Sequence, residues 1–541
     1  MKFKILIFLL FLCNILQAQN FQFVKKGGGA SSDYGYSTCV DNAGNVYLTG
    51  CYKATATFDN INFTSKGLLD IFIAKYNSAG TLLWCKTAGG TGNDEGDKIF
   101  VTPDGSVYVA GTIIGSAAFD WIIATVNGGA FAGEDLFLTK LNSQGEFQWV
   151  KTYGSASQDW IDDVSMLDGT FYFTGHYYGT FTAGPITLNP AGSSSAYFFM
   201  KADAEGNPVW GKNTGGLARI SSGSDKLIIA GLFGGTANFG NVTFTSNGPN
   251  DLYIGAYDLT GNQLWVKQFG GSGSENMRSI CYDRNSDRIY WAGCFQNTMA
   301  MGSTNLTSSG QYDIFVSKFD SDGNNIWAKR AGGVNYDFAN CTAVDDLGNV
   351  YISGYCMETS SFGNVNVVSA GQGDAYIAKY NTNGDFQWVK SGGGSGQDNG
   401  LSLIINPAGG LYLSGFFENS ASFGNISLSS YGVGDAMLIK IADVTSVQNE
   451  NTFINSYKLY QNYPNPFNPS TQITFDISKP GNVKLRVSDV SGKEIAELVN
   501  SSMNSGSYKV TFDASQIPGG IYFYTLETSE GAETRKMILV K

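Results

Sequence analysis

The stretch Asp313-Ile-Phe-Val-Ser-Lys-Phe-Asp-Ser-Asp-Gly-Asn-Asn-Ile-Trp327-Ala-Lys329 sets a frame that the chain repeats along most of its length. It returns as Asp70…Trp84-Cys-Lys86, Asp135…Trp149-Val-Lys151, Ala196…Trp210-Gly-Lys212, Asp251…Trp265-Val-Lys267 and Asp374…Trp388-Val-Lys390, at a period of about sixty residues. A seventh copy opens at Asp435-Ala-Met-Leu-Ile-Lys440 and stops before any tryptophan. Its missing piece stands at the other end of the chain, as Phe21-Gln-Phe-Val-Lys25. A repeat cut at one end and completed from the other is how a ring of repeats closes. Closure removes the open sheet edges that invite aggregation.

Each repeat resolves into four short strands. The second is the clearest: Asn45 to Gly50, matched by Ser106 to Gly111, Thr170 to Gly175, Lys226 to Gly231, Arg288 to Gly293, Asn349 to Gly354 and Gly410 to Gly415. The third is the Asp-x-Phe-x-x-Lys stretch and the fourth carries Trp-x-Lys. β-Branched and aromatic residues alternate with small or polar ones, the period of a half-buried strand. Tight Asp- or Asn-led turns join first to second and third to fourth strands. Four antiparallel strands repeated around a ring make a β-propeller. With 69 glycines, 14% aromatic and only 15% charged residues, the composition suits such a chain. The expectation is an all-β protein: a seven-bladed β-propeller over residues 19–443, closed by the N-terminal strand. A linker over 444–456 and a small C-terminal antiparallel β-sandwich over 457–541 follow it.

Residues 1–18 read as a secretory signal, with Lys2 and Lys4, an apolar run from Ile5 to Leu12, and Leu16-Gln-Ala18 before Gln19. No later stretch has the ~20 apolar residues of a transmembrane helix. A net charge of −12 without basic runs argues against nucleic acid or an anionic membrane as partner. Six cysteines form the couples Cys39/Cys51, Cys281/Cys294 and Cys341/Cys356, each flanking a turn. Export permits disulfides. Each couple is nevertheless about three residues out of register, beyond the ~7 Å Cα limit unless a bulge intervenes.

Gly44-Asn-Val-Tyr-Leu-Thr-Gly50 and Gly348-Asn-Val-Tyr-Ile-Ser-Gly354 resemble the secreted bacterial propeller repeats of the SBBP type, over residues 20 to about 442. The fourth repeat departs most, with Gly223-Ser-Asp-Lys226 in that place. The last segment resembles the type A C-terminal sorting domain of the type IX secretion system. It does so through Gln461-Asn-Tyr-Pro-Asn-Pro-Phe-Asn-Pro469, Val487-Ser-Asp-Val-Ser-Gly-Lys493, Ile517-Pro-Gly-Gly-Ile-Tyr522 and Arg535-Lys-Met-Ile-Leu-Val-Lys541. Strands are expected there at Gln472 to Ile477, Asn482 to Asp489, Ser507 to Asp513, Ile521 to Thr528 and Thr534 to Val540. This resemblance implies export across the outer membrane of a Gram-negative bacterium, with the secretion machinery as partner. Release or surface attachment would follow.

Propeller topology puts the connections from second to third strand, about twenty residues long, on the same side as those from fourth to next first strand; binding residues concentrate in such long loops. On that side an acid recurs where the chain enters the innermost strand: Asp33, Asp94, Asp159, Glu275, Asp337 and Asp398. The fourth repeat reads Gly216-Leu-Ala-Arg219 instead. A ring of carboxylates at the tunnel mouth suits a divalent cation such as calcium, or a polar, hydroxyl-rich ligand. The alternative is that these acids settle turns by bonding backbone. Asp320-Ser-Asp-Gly-Asn324 has the opening of a calcium loop, though its equivalents are plain turns. The recurring tryptophans are expected between blades, and Lys75, Lys140, Lys201, Lys318, Lys379 and Lys440 to snorkel or pair with acids. His176 is the only histidine, which rules out a histidine metal cluster and assigns it a structural role. The leading reading is a non-catalytic binding or adhesion protein for polysaccharide or an extracellular protein. The alternatives are a carboxylate-based glycoside hydrolase or polysaccharide lyase, and a structural surface-layer component.

Overall fold

The computed structural model describes residues 21–441, apart from 128–132, 191–193 and 407–409, and residues 457–540, apart from 463, 478–480, 504–505, 516 and 530. The expected signal (1–18) and linker (444–456) lie outside the described residues. The chain separates into two compact modules, Met1–Asp443 and Val444–Lys541. All the assigned elements are strands.

In the first module the repeats are numbered here by their first strands: Tyr34–Val40, Glu95–Val101, Asp159–Leu167, Leu217–Ser222, Glu275–Asp283, Asp337–Val344 and Asn399–Ile405. Each starts an antiparallel four-strand meander. In the third repeat, for instance, Asp159–Leu167 pairs with Thr170–Tyr178, that with Ser195–Ala202, and that with Pro208–Thr214. In the seventh, Asn399–Ile405, Leu411–Phe423 and Ile426–Ile441 are completed by Phe21–Gly29, which runs antiparallel to residues 436–441.

The long second-to-third connections differ from the expected loops. Each contains a β-hairpin, such as Ser116–Phe119 with Ile122–Thr125 or Thr359–Phe362 with Val365–Val368. A buried Phe or Met anchors every hairpin: Phe58, Phe119, Phe181, Phe239, Met301, Phe362 and Phe423. The residue turning most of them takes a left-handed φ, as at Asp59 and Gly363. The glycine-rich end of the preceding fourth strand pairs with this hairpin, Gly27–Gly29 against Phe58–Ala56 and Gly332–Gly333 against Ser361–Ser360. Segments expected to be free for binding are thus largely spent on joining repeats.

The tryptophans hold the other edge, as expected. The indole N–H of Trp84 donates to Ser143 O, Trp210 to Leu259 O, Trp265 to Ser321 O and Trp327 to Thr382 O, in each case a turn of the next repeat. The turn glycine lies under the ring, and in the seventh repeat Phe23 takes the tryptophan's place against Gly80. A Cβ at Gly261 would stand 2.8 Å from Trp210 Cη2 at a φ of +77°, whereas Gly235, at +65°, has nothing within 4 Å. Gly261→Ala is expected to cost about 2–4 kcal/mol in denaturant unfolding, the sum of left-handed strain and overpacking. Gly235→Ala should cost only the first part.

The lysines do more than snorkel. Lys75, Lys140, Lys201, Lys318, Lys379 and Lys440 lie over Tyr47, Tyr108, Tyr172, Tyr290, Tyr351 and Tyr412, 4.8–5.6 Å from the ring centroids. The seven cysteines from Cys39 to Cys356 are free. Cys39 stands opposite Tyr47 and Cys51 opposite Tyr34, so the offset of the couples is real.

The second module has two sheets around one core. Lys458–Leu459, Ser470–Ile477 and Gly506–Asp513 form one; Glu494–Met503, Gly481–Ser488, Gly520–Thr528 and Gly531–Leu539 form the other. Glu494–Met503 was not among the expected strands, because Glu-Ile-Ala-Glu-Leu-Val favours helix by propensity and tertiary pairing overrides it. The proline-rich motif clasps the chain's last strand. Phe467 is buried, its N–H donates to Ile538 O, and Gln461 Nε2 donates to Lys536 O. Asn462 is buried too, with Nδ2 bonded to Thr471 Oγ1 and its N–H to Tyr524 Oη.

Candidate functional site

The six acids of the expected ring are all buried where the chain enters the first strands. The carboxylates of Asp33, Asp94, Asp159, Asp337 and Asp398 accept the N–H of the residue four earlier, Gly29, Gly90, Ser155, Gly333 and Gly394, at 2.5–2.7 Å. The second oxygen of four of them accepts an N–H from the far end of the second-strand segment: Lys53, Ile114, Met357 and Glu418. Glu275 is equally buried, with the Gly271 backbone, four residues earlier, and the Asp251 carboxylate beside it.

A second acid stands beside each, the Asp that heads the third-strand motif, which sequence reasoning took as part of the repeat frame and did not join to the ring. Asp435, Asp70, Asp135, Asp251, Asp313 and Asp374 are buried as well. They flank a glycine with the first acid: a Cβ at Gly28 would lie 2.6 Å from Asp435 Oδ1 and 2.8 Å from Asp33 Oδ2. Burial, reinforced by the neighbouring acid, pushes Asp33, Asp94, Asp135 and Asp398 up to about 7 and Glu275 to about 8. Among the described residues no cluster of three or more His, Cys, Asp or Glu side chains is arranged to hold a metal ion. Asp320 accepts the N–H groups of Asp322 and Asn324 and the Asn324 amide, so its carboxylate closes a turn.

At one seam both acids are missing together. Between the third and fourth repeats, Ala196 occupies the third-strand position and Gly216 the first-strand position. The same seam carries the histidine. Trp160, His176, Tyr197 and Thr214 stand directly opposite one another across the four strands of the third repeat. In the other repeats the third-strand member of this row is Ile71, Leu136, Leu252, Ile314, Ala375 or Ala436, each buried. Tyr197 is instead partly exposed, beside Trp160 and His176, which are partly exposed too. Trp160 stacks on His176 at 4.7 Å and 24°, with Tyr178 edge-on to Trp160 and Tyr197 tilted against His176.

Asp162 lies beneath. The register skips a residue between Ile161 and Asp163, a β-bulge that re-aims the extra side chain. Asp162 is 8% exposed; one carboxylate oxygen stands 3.1 Å from His176 Nδ1, and the other is buried without a partner. The Thr214 side chain lies against the Tyr253 hydroxyl of the facing repeat. Opposite them, Thr174 Oγ1 donates to Ala218 O and Tyr253 Oη to Gly216 O, fixing the wall of the fourth repeat. At the rim Glu134 is pushed up to about 7 by burial and by Glu95, while hydrogen bonds from Thr112 and Trp160 pull it back. The sequence did carry a signal: the second-strand glycine is followed by histidine only at His176, and the third-strand acid is replaced only at Ala196.

The chain is 28% identical over 144 residues to the regulatory protein FlaEY of Caulobacter vibrioides, covering 26% of this chain and 15% of that protein. It is 22% identical over 366 residues to an uncharacterized WD repeat-containing protein of Acanthamoeba polyphaga mimivirus, covering 52% of this chain and 26% of that protein. The chain thus spans no more than about a quarter of these curated relatives' length. Among solved structures, a member of the DUF4221 family from Bacteroides vulgatus shares 13% identity at a TM-score of 0.31, covering 62% of this chain and 93% of that one. No helix among the described residues is long and apolar enough to cross a membrane. Residues 461–541 match the family model of the secretion system C-terminal sorting domain, so this chain carries the tail of a secreted or cell-surface protein exported by the type IX system.

Proposed function

We propose that residues 19–443 form a seven-bladed β-propeller closed by its N-terminal strand, and that this propeller is a non-catalytic binding or adhesion module outside the cell. The observation that carries the architecture is the pairing of Phe21–Gly29 with residues 436–441, which joins the last repeat to the first. The WD repeat in the name of the mimivirus relative is consistent with it. The same proposal divides the chain into a signal peptide (1–18), propeller (19–443), linker (444–456) and sorting domain (457–541). The ligand class is a polysaccharide or, failing that, an extracellular protein. The partly exposed rings of Trp160 and His176, next to hydrogen-bonding side chains at one end of the repeats, support it. Asp33, Asp94, Asp159, Glu275, Asp337 and Asp398 serve as latches that hold the connections at that end, through the backbone N–H groups that five of them accept.

The test is binding of the purified chain to insoluble polysaccharides and a soluble glycan panel, with and without a chelator. Saturable binding that survives the chelator is the expected result. Loss on chelation would make the acidic ring a cation site, calcium first. Binding to no glycan would turn the reading toward a protein ligand. Export is tested separately: deleting residues 457–541 should leave nearly all of the protein in the periplasm on fractionation and immunoblotting.

A further inference from the structure

We propose that the seam between the third and fourth repeats is a saccharide-binding site, taking one neutral pyranose residue against Trp160 and His176. This rests on the glycan reading above and gives it a place and a sugar class. A repeat protein reuses its structural residues, so a position where the pattern breaks coherently marks selection for something else. Here the break is threefold and local. Both latch acids are replaced, by Ala196 and Gly216, which removes two side chains from the rim of this seam. The third-strand member of the row beneath changes from a buried aliphatic to the partly exposed Tyr197, in line with Trp160 and His176. A buried polar atom, Asp162 Oδ2, has no partner. Unsatisfied buried polar groups are uncommon and costly, and a ligand that supplies the missing bonds removes that cost.

The chemistry of the row selects the ligand. The stacked indole and imidazole offer a flat apolar surface for the C–H face of a sugar ring. The free Asp162 oxygen only accepts, so it calls for a hydroxyl donor. With Asp162 in the floor, Glu134 and Glu95 at the neighbouring rim and a net charge of −12, a uronate carboxylate is disfavoured. His176 acts here as a binding platform oriented by Asp162.

The test is calorimetry of the full chain with neutral gluco-, manno- and galacto-pentasaccharides and with an oligouronate. One neutral pentasaccharide should bind, and the oligouronate at least ~10-fold more weakly, a difference of about 1.4 kcal/mol. Trp160→Ala and Asp162→Asn should each weaken binding ~10-fold or more at an unchanged unfolding midpoint. Tyr336→Ala, in the stacked aromatic pair with Phe338 on the sixth repeat, should change nothing. Should Trp160→Ala fail to fold, Ala196→Asp decides the matter. It restores the residue found at this position in the other repeats and should block binding by refilling the seam. Neutral-sugar binding that ignores Trp160, Asp162 and Ala196 substitutions would overturn the proposal while leaving the glycan reading intact. Absence of neutral-sugar binding by the unmodified chain would overturn both, and preference for the oligouronate would overturn the assigned sugar class.

Discussion

Deletion of residues 19–29 is expected to abolish cooperative folding of the first module, not merely to fray one edge. The segment makes two interfaces at once. Its Phe23–Gly27 stretch pairs with the last strand of the seventh repeat, and Gly27–Gly29 pairs with the hairpin of the first. Its side chains fill both sides of that joint. Val24 is buried in the core of the sixth and seventh repeats, Phe21 meets Phe423 at 5.8 Å, and Phe23 packs on Tyr412 and Gly80. Losing a buried aromatic costs about 3–5 kcal/mol, so removal of the whole strand takes away about as much as the entire stability of a typical domain. The sharp thermal transition followed by far-UV circular dichroism should be lost or fall by ~15 °C or more. A permuted chain, with residues 19–30 moved to follow residue 443, should recover it, because the strand pairs with the same neighbours. An unchanged midpoint in the deletion would show that the repeats stand as an open array, in which terminal repeats add little to one another.

Much of this was legible in the residues, because a repeat repeats whatever its fold demands. The four-strand meander, the recurring tryptophans at the joints and the completion of the seventh repeat by Phe21–Lys25 all follow from spacing and alternation. The inserted hairpins were missed because their residues, such as Ser116-Ala-Ala-Phe119, are small or polar apart from one large buried anchor. A period-2 pattern of four residues is too short to stand out from a loop. The acids were half legible. Their recurrence located the latches, but only the fold brings Asp70 beside Asp94 or Asp135 beside Asp159, across some twenty-four residues of intervening chain. His176 was assigned a structural role when weighed alone. Its meaning comes from the cross-strand row, which joins it to Trp160, Tyr197 and Asp162.

The paired acids make the folded chain a proton sponge, and its stability should fall as pH rises from about 5 to 8.5. Burial is the main cause of the raised values, leaving Asp33, Asp94, Asp135 and Asp398 at about 7, Glu275 at about 8, and Asp159, Asp337 and Asp435 at about 6; the partner acid adds to it in all of these but Asp159 and Asp435. In the unfolded chain the same groups titrate near 4. The folded state therefore binds more protons between about 4 and 8, and the stability these groups contribute is complete below 4 and lost as pH passes the folded values. Each retained proton tilts stability by about 1.4 kcal/mol per pH unit. Turn acids of the opposite kind, Asp41 and Asp320, are held below the ordinary range by hydrogen bonds and weaken the fold only in stronger acid. The unfolding midpoint should thus peak near pH 5 and drop by ~5 °C or more by pH 8.5. Asp135→Asn removes a carboxyl that burial and the neighbouring Asp159 push up to about 7, while keeping an acceptor for Asn127 N–H, so it should raise the midpoint at pH 8 and leave it nearly unchanged at pH 5. Millimolar calcium gives the opposing outcome: a rise of several degrees at pH 8, lost in Asp135→Asn, would mean that a cation rather than a proton joins each pair. A midpoint that climbs steadily to pH 8.5 without added metal would mean that both carboxylates are ionised and compensated by groups other than each other.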